Sequence, residues 1–351
     1  MPSVPEHEII APVDLTVPGG RLNKHAIGWS RHLWHNTDRI GRGLYGWGRN
    51  KRWEYWGIVT PTHIIGITVS SLDYASLNQL WVLDRTTLMP IDETVITPLS
   101  GAVTLPGTLR AGPTTARTKT LTIDIDEVGG GTNIRAVTPR VSLDLVALRP
   151  AHHEALGVVV PWSYRLFQYT VKDVALRVRG SVTVDGVDYD VSAADSWAVL
   201  DHGRGRWPYR MTWNWGAGSG VVDGQTIGLQ LGGKWTDGSG STENALVVDG
   251  RLHKISEELE WDYDPTDFLS PWAIRGDGVN VIFTPFYDRV ASSNAYVISS
   301  NTHQCFGHYS GTVTVTDTGA DTHNDGDSDV EPIVVSVDGL VGWAEHVQNR
   351  W

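Results

Sequence analysis

The residues best placed to do chemistry lie in one stretch, Ser196-Trp-Ala-Val-Leu-Asp-His-Gly-Arg-Gly-Arg-Trp-Pro-Tyr-Arg-Met-Thr-Trp-Asn-Trp-Gly216. Alternate side chains of an extended chain share a face, so Trp197, Val199 and Asp201 stand together. A carboxylic acid among apolar neighbours has a raised pKa and can hold a proton near neutrality. His202, on the opposite face, is the alternative acid or base. Arg204 and Arg206 either grip an anion through paired N–H donors or neutralise Asp201 and Glu243, which keeps Asp201 ionised. Gly203 and Gly205 permit a tight backbone bend there. Beyond it, Tyr209, Met211, Trp213 and Trp215 share one face of a second strand, and Arg210, Thr212 and Asn214 the other.

A second carboxylate, Glu243, precedes Asn244 and follows the Asp237-Gly-Ser-Gly-Ser241 loop. At a barrel mouth it suits acid–base work, whereas Asn244 beside a strand start is equally a turn residue. Trp197, Trp207, Trp213, Trp215, Trp235, Trp261 and Trp272 either pack the core or wall a pocket for an apolar ring or a cationic intermediate. Cys305, between Gln304 and Phe306, reads as a small core residue. Asp321-Thr-His-Asn-Asp-Gly-Asp-Ser-Asp329 has a glycine where a calcium loop needs one. It puts His323 at an oxygen-ligand place and Pro332 at the place of the bidentate Glu, so it reads as a solvated acidic loop. His152 and His153 are adjacent and point apart in an extended chain, and no His pair shows helical zinc-ligand spacing. Gly216-Ala-Gly-Ser-Gly220 leads into a strand, which is not a dinucleotide fingerprint. No metal and no organic cofactor is called for.

Composition bounds the answer. The chain has 351 residues, 40% apolar and 19% charged, enough for two domains that each bury a core. A net charge of −12 without a basic run excludes nucleic acid as a partner. There are 16 Trp against 5 Phe, a balance suited to aromatic-lined cavities. The lone Cys305 rules out an intrachain disulfide, and Glu6, His7, Glu8 and Asp14 stand where a signal peptide has its apolar core. No apolar run approaches the roughly 20 residues that span a bilayer. The expectation is a cytoplasmic protein with a small-molecule substrate or ligand and no stable membrane insertion; oligomeric state is not legible.

The elements that must position these residues are short strands. Trp53–Val59, Thr62–Val69, Gln79–Leu83, Thr120–Ile125, Asn133–Thr138, Val141–Leu148, Tyr164–Val171 and Val174–Val178 are β-branched or aromatic and bounded by turn residues. Val182–Val191 is a hairpin around Asp185-Gly186, and Ala245–Ile255 another around Asp249-Gly250. Thr226–Leu231, Val279–Pro285, Ala295–Ser300, Gly311–Val315 and Ile333–Val337 continue the series. A weak internal echo, Trp56-Gly57 before Ile65-Gly-Ile67 and Trp215-Gly216 before Ile227-Gly-Leu229, suggests duplication. The fold expected is all-β, two antiparallel barrels in tandem. Residues 1–50 form an irregular arm or lid, 51–190 the first barrel and 191–351 the second.

The block Val187–Val191, Ser196-Trp197, Asp201-His202-Gly203 and Trp213–Trp215 resembles the central block of the carotenoid 1,2-hydratase, AttH and tocopherol cyclase-like group of double lipocalin-like proteins. Across nearly the whole chain the resemblance is stronger to a bacterial relative of that group, a domain family of unknown function. It is carried by Gly28-Trp29-Ser-Arg31, Trp53-Glu-Tyr-Trp56, Asp201-His-Gly-Arg-Gly205, Glu243-Asn244, Pro271-Trp272, Gln304-Cys-Phe-Gly307 and Trp351. The resemblance implies two lipocalin-like barrels with a ligand site in or between them. It also implies hydration, cyclisation or cycloaddition chemistry, with Asp201 at the position of the proton donor. The function expected is a cofactor-independent hydratase, cyclase or isomerase acting on a mostly apolar, partly oxygenated molecule. Its proposed catalytic set is Asp201, His202, Arg204, Arg206 and Glu243, and its ligand set Trp197, Tyr209, Trp213, Trp215, Trp235, Asn244 and Trp272. Two rivals stand beside it: a carbohydrate-active hydrolase or lyase using Asp201 with Glu243 and tryptophan platforms, and a non-catalytic lipid or metabolite carrier.

Overall fold

A computed structural model describes residues 6–295, 298–315 and 332–350. The acidic loop 321–329 and Trp351 fall outside the described residues. Apart from a short 3-10 turn at Lys24–Ala26, the regular elements are all strands. The chain divides into two compact units, Glu6–Tyr209 with Ser239–Ser241, and Arg210–Gly238 with the described residues from Thr242 onward.

The first unit is a 14-stranded antiparallel sheet. Its strands run in the order Pro90–Pro98, Ala75–Asp84, His63–Ser71, Asn50–Val59, Trp197–Arg206, Phe167–Val184, Val141–Leu148, Gly131–Val137, Thr122–Val128, Thr114–Arg117 and Val103–Thr104. The sheet curls until its last two strands approach His63–Ser71, as in a lipocalin-like barrel. Inside the curl lie Trp56, Ile58, Ile65, Ile67, Leu80, Ile123, Leu145, Phe167, Val171 and Leu200. The alternation of Val141–Leu148 shows why: Val141, Leu143, Leu145 and Ala147 are buried, and the residues between them are not.

Two segments expected as separate strands, Tyr164–Val171 and Val174–Val178, are one long strand that bends. Its register shifts between Asp173 and Leu176, where Ala175 has φ 59°. Before the bend it pairs with Leu156–Pro161, and after it with Val141–Leu148. The N-terminal arm is packed down, with Leu15, Leu22, Ala26 and Ile40 in the same core.

The second unit is a 10-stranded antiparallel sheet. Its order is Arg251–Ile255, Asn244–Val248, Gln225–Gly233, Arg210–Val222, Val341–Arg350, Ile298–Val315, Val279–Ala295, Trp272–Arg275 and Glu260–Asp262, with Ile333–Ser336 beside Ile298–Val315. Leu229, Leu231, Leu246, Trp272, Ile274, Val281, Phe283 and Tyr309 form its core. Both Asp-Gly hairpins fold as their sequence demands, Asp185 and Gly186 at φ 49° and 82°, Asp249 and Gly250 at φ 48° and 86°. A third, Asp223-Gly224, joins Arg210–Val222 to Gln225–Gly233 in the same way.

The sequence places residues 191–209 at the start of the second barrel. The structure hydrogen-bonds Trp197–Arg206 between Asn50–Val59 and Phe167–Val184, in the middle of the first sheet. Nor does the strand bend at its glycines. A Cβ at Gly203 would lie 2.2 Å from the Trp53 indole, and one at Gly205 2.2 Å from Gln168 Oε1. Glycine is there for close approach of neighbours, not for a turn.

Candidate active site

The alternation within Trp197–Arg206 decides what each polar residue can do. Asp201 faces away from the barrel core. Its Oδ2 accepts from Trp53 Nε1 at 3.0 Å, and its Oδ1 lies 3.0 Å from Lys172 Nζ and 3.1 Å from Thr170 Oγ1. The ion pair foreseen for Asp201 therefore exists, but with a lysine of the neighbouring strand. Arg204 and Arg206 cannot reach it, because they lie on the other face with His202.

On that inner face Arg204 is fully buried and donates to the carbonyls of Trp53, Gly203 and Pro106 at 2.9, 2.8 and 2.9 Å. Burial lowers its pKa to about 9, against the pull of Glu54, so it keeps its charge at neutrality. Arg206 donates to Asn50 Oδ1 at 2.9 Å and to the carbonyl of Gly20, and stacks over Tyr45. It clamps the N-terminal arm. His202 is fully buried, and burial with the nearby Arg204 and Arg110 charges holds it neutral.

The remaining expected residues are mostly occupied by packing. Trp197 lies under the Arg177 guanidinium at 4.5 Å, and Arg49 lies 5.9 Å from the Tyr209 ring. Trp213 Nε1 donates to Glu345 Oε1 and Trp215 Nε1 to Gln230 Oε1, both at 2.8 Å. Trp235 donates to Glu243 Oε1, and both side chains are buried. Asn244 Oδ1 accepts from the Gly232 N–H at 2.6 Å while its Nδ2 donates to the Glu257 carbonyl at 2.8 Å, the work of a loop-tying residue. Cys305 is buried in the core, as expected, and burial beside Asp288 pushes its thiol pKa up, away from nucleophilic use. His153 binds Asp173 at 2.8 Å.

Of that set, Trp272 touches a reactive constellation. Asn214, His346 and His303 form one row across three adjacent strands, since Asn214 pairs with His346 and His346 with His303. Lys234 follows the fourth strand, Gln225–Gly233, in a left-handed conformation (φ 69°). Tyr263 comes from the loop after Glu260–Asp262 and lies flat on Trp272, with ring centroids 4.0 Å apart. Its hydroxyl receives Lys234 Nζ at 2.6 Å and Asn214 Nδ2 at 3.1 Å, and meets His346 Nδ1 at 2.8 Å. Two donors occupy the hydroxyl lone pairs, and its proton goes to His346 Nδ1 at 2.8 Å in preference to Asn214 Oδ1 at 3.4 Å. Burial, and then the charge of Lys234, lower the His346 pKa to about 4, so the imidazole is a neutral acceptor. Phe268 stacks on His303 at 3.9 Å, and His303 Nδ1 lies 2.9 Å from Asp288 Oδ2.

This cluster can be reached. Lys234 is exposed and Tyr263 and His303 half-buried, whereas His202, Arg204 and Glu54 are fully enclosed. Two residues along the same three strands, Thr212, Gln348 and Asn301 continue the row into an open cavity of about 830 Å³. Arg210 and Arg350, opposite one another on neighbouring strands, line its far side with Ser292, Ser299 and Ser300. A phenol flanked by an ammonium and a neutral imidazole can give and recover a proton, and the ammonium can hold a developing oxyanion. No local motif announces these residues: Asn214, His303, His346, Lys234 and Tyr263 come from five separate segments, and although Asp338-Gly339 marks a turn before Val341–Arg350, nothing local singles out His346 within that strand. Among the described residues there is no cluster of three metal-ligating side chains. Nor is any helix long and apolar enough to cross a membrane.

Residues 6–351 match the family model described as a domain of unknown function, DUF2804. No curated protein matches the chain by sequence. Among solved structures, CghA aligns at 10% identity with a TM-score of 0.52, over 99% of this chain and 97% of its own. A protein described as an AttH from Nitrosomonas europaea aligns at 14% identity and TM-score 0.50, over 96% and 98%. Kievitone hydratase from Nectria haematococca aligns at 10% identity and TM-score 0.49, over 90% and 95%. At such identities the likeness is one of fold, double and lipocalin-like.

Proposed function

We propose that this chain, which belongs to the DUF2804 family, is a cofactor-independent acid–base enzyme of the hydratase, cyclase or isomerase kind, with Tyr263 as its proton-transferring group. The observation that carries this reading is the Tyr263 hydroxyl set between Lys234 Nζ and His346 Nδ1, with His346 Nε2 in turn 3.0 Å from the Gln348 amide, which lines an open cavity. Tyr263 turns its proton from His346 Nδ1 to the substrate, Lys234 stabilises the phenolate left behind, and the proton released by the substrate or by the added water restores the phenol. The half-buried Phe268, beside Tyr263 and His303, favours an apolar or aromatic body, while Arg210, Arg350 and the serines favour an oxygenated end.

The carbohydrate reading draws less support, because the Oδ atoms of Asp201 are engaged by Lys172, Trp53 and Thr170, and Oε1 of Glu243 by Trp235. The test is to incubate the protein in D₂O with a panel of enones, unsaturated phenols and isoprenoid alcohols and follow deuterium uptake by mass spectrometry. Uptake by the wild type that is abolished in Tyr263→Phe supports the reading. Uptake unchanged in Tyr263→Phe, or none across the panel, overturns it.

A further inference from the structure

One end of the first sheet gathers large apolar side chains and arginines at the surface. Asn50, Arg206 and Phe167 stand opposite one another on adjacent strands. The segments that enter or leave those strands there, 41–49, 207–209 and 162–166, therefore emerge side by side. A fourth, 17–21, joins them. The Leu22 N–H donates to the Tyr164 carbonyl at 2.9 Å, and Gly20 lies so close to the Tyr45 ring that a Cβ would clash.

The first of these segments, Gly41-Arg-Gly-Leu-Tyr-Gly-Trp-Gly48, is a projecting loop with a fixed shape. Its four glycines have φ between 68° and 82°, the left-handed region that other residues resist. The Trp47 N–H closes a turn on the Leu44 carbonyl at 3.3 Å. Tyr45 is held by Arg206, whose guanidinium lies 4.5 Å from the ring, and Asp73 Oδ2 accepts from the Gly48 N–H at 2.8 Å. Anchored in this way, the loop leaves Leu44 88% and Trp47 56% exposed. Tyr164 and Tyr209 on the neighbouring segments are exposed as well.

Charge and shape select the occupant. The chain carries −12 overall, yet segments 17–21, 39–49, 162–166 and 207–209 hold five arginines and no carboxylate. Arg21, Arg39, Arg42, Arg49 and Arg165 are all exposed. Of the acids that border them, Asp14 lies 3.4 Å from Arg39 and Asp38 3.9 Å from Arg42, while Asp73 spends Oδ2 on the Gly48 and Asn50 N–H groups. A protein partner fills pockets around buried apolar anchors. Here the apolar groups stand outward among guanidinium groups, which suits a deformable headgroup layer. There indole and phenol rings settle at the interface, an alkyl side chain enters the acyl boundary and guanidinium groups meet phosphates.

We infer that this end of the first sheet docks on an anionic lipid bilayer, with Leu44 and Trp47 entering the interface and Arg21, Arg42, Arg49 and Arg165 meeting lipid phosphates. The attachment is peripheral and reversible, because two inserted side chains bury too little to hold the chain permanently.

The test is sedimentation of the full-length protein with vesicles of phosphatidylcholine, alone or mixed with phosphatidylglycerol. Saturable binding to the mixed vesicles that falls with added salt is expected, with little binding to phosphatidylcholine alone. Leu44→Ser combined with Trp47→Ser should weaken it about tenfold or more, and Arg42→Gln combined with Arg165→Gln roughly thirtyfold. Val187→Ser, at an exposed site on the hairpin at the far end of Phe167–Val184, should bind as the wild type does. Circular dichroism checks that each variant folds. A fluorophore sensitive to polarity, attached through Leu44→Cys, should shift to the blue on the mixed vesicles; Cys305 is buried and does not compete for the label. No binding to the mixed vesicles, equal binding to phosphatidylcholine alone, unchanged binding of the Leu44 and Trp47 double variant, or an unshifted fluorophore would each overturn the assignment. So would a wild-type dimer in gel filtration that the double variant splits, which would give the loop to a second copy of the chain.

Discussion

Replacing Lys234 by Met probes the proposed site without any knowledge of its substrate. Lys234 Nζ lies 3.5 Å from His346 Nδ1, and the His346 pKa falls from 6.5 to about 4, chiefly through burial, then through Lys234 and His303. That depression amounts to about 3.4 kcal/mol at about 1.36 kcal/mol per unit. Because burial leads, the share of Lys234 is less than half, at most about 1.2 units. Coulomb's law brackets it from the other side: charges about 4 Å apart repel by about 1 kcal/mol in a water-like medium and about 4 kcal/mol at an effective dielectric near 20. Lys234 is exposed, so the low end applies. The variant should therefore raise the His346 pKa by about 0.7 to 1 unit. The assay is an NMR titration of the histidine ring resonances between pH 3 and 8 in wild type and variant. A wild-type His346 titrating near 6.5, or a pKa unmoved by Lys234→Met, would refute the triad of Lys234, Tyr263 and His346.

Tyr263→Phe should lower kcat by about 10²- to 10⁴-fold with KM changed only a few-fold, as expected for a lost proton donor; steady-state kinetics on a substrate from the deuterium screen will show it. Acid should destabilise the protein in a defined window. His35, 1% exposed, and His346 both have folded pKa values of about 4, below the 6.5 of the unfolded chain. Their stabilising contribution is complete above 6.5 and is lost as pH falls through 4. At about pH 5 His35 alone accounts for about 2 kcal/mol, so urea midpoints should drop between pH 7 and 5 in the wild type and less in His35→Phe. Asp201→Asn should cost about 3 kcal/mol by stripping the buried Lys172 of its carboxylate. The activity of its folded fraction should stay at the wild-type level; a full loss of turnover at wild-type stability would return Asp201 to the mechanism.

The fold was largely legible because it is written locally. Period-two patterns mark strands such as Val141–Leu148, and Asp185-Gly186 and Asp249-Gly250 mark hairpins. What failed was the long-range assignment of Trp197–Arg206. Its pairing with Asn50–Val59 spans about 150 residues of chain, and no local pattern encodes such a partner. The same limit hid the site. Asp201, His202 and Arg204 are conspicuous because they are neighbours in sequence, yet alternation sends Asp201 to one face and the other two to the opposite one. Lys234, Tyr263 and His346 are inconspicuous because only the sheet brings them together.

The row of Asn214, His346 and His303 also sets rules for how such a protein can change length. A residue added to the Asp223-Gly224 turn lies at the far end of its hairpin and leaves the row in place. A single residue inserted within Val341–Arg350, between His346 and the pairings that anchor the strand, turns the imidazole to the opposite face and removes it from Tyr263. Lineages of this fold should therefore vary freely in their hairpin tips while tolerating no odd-numbered insertion in the three strands that carry the row. Where such an insertion has occurred, proton transfer at Tyr263 should be gone even though the barrel survives.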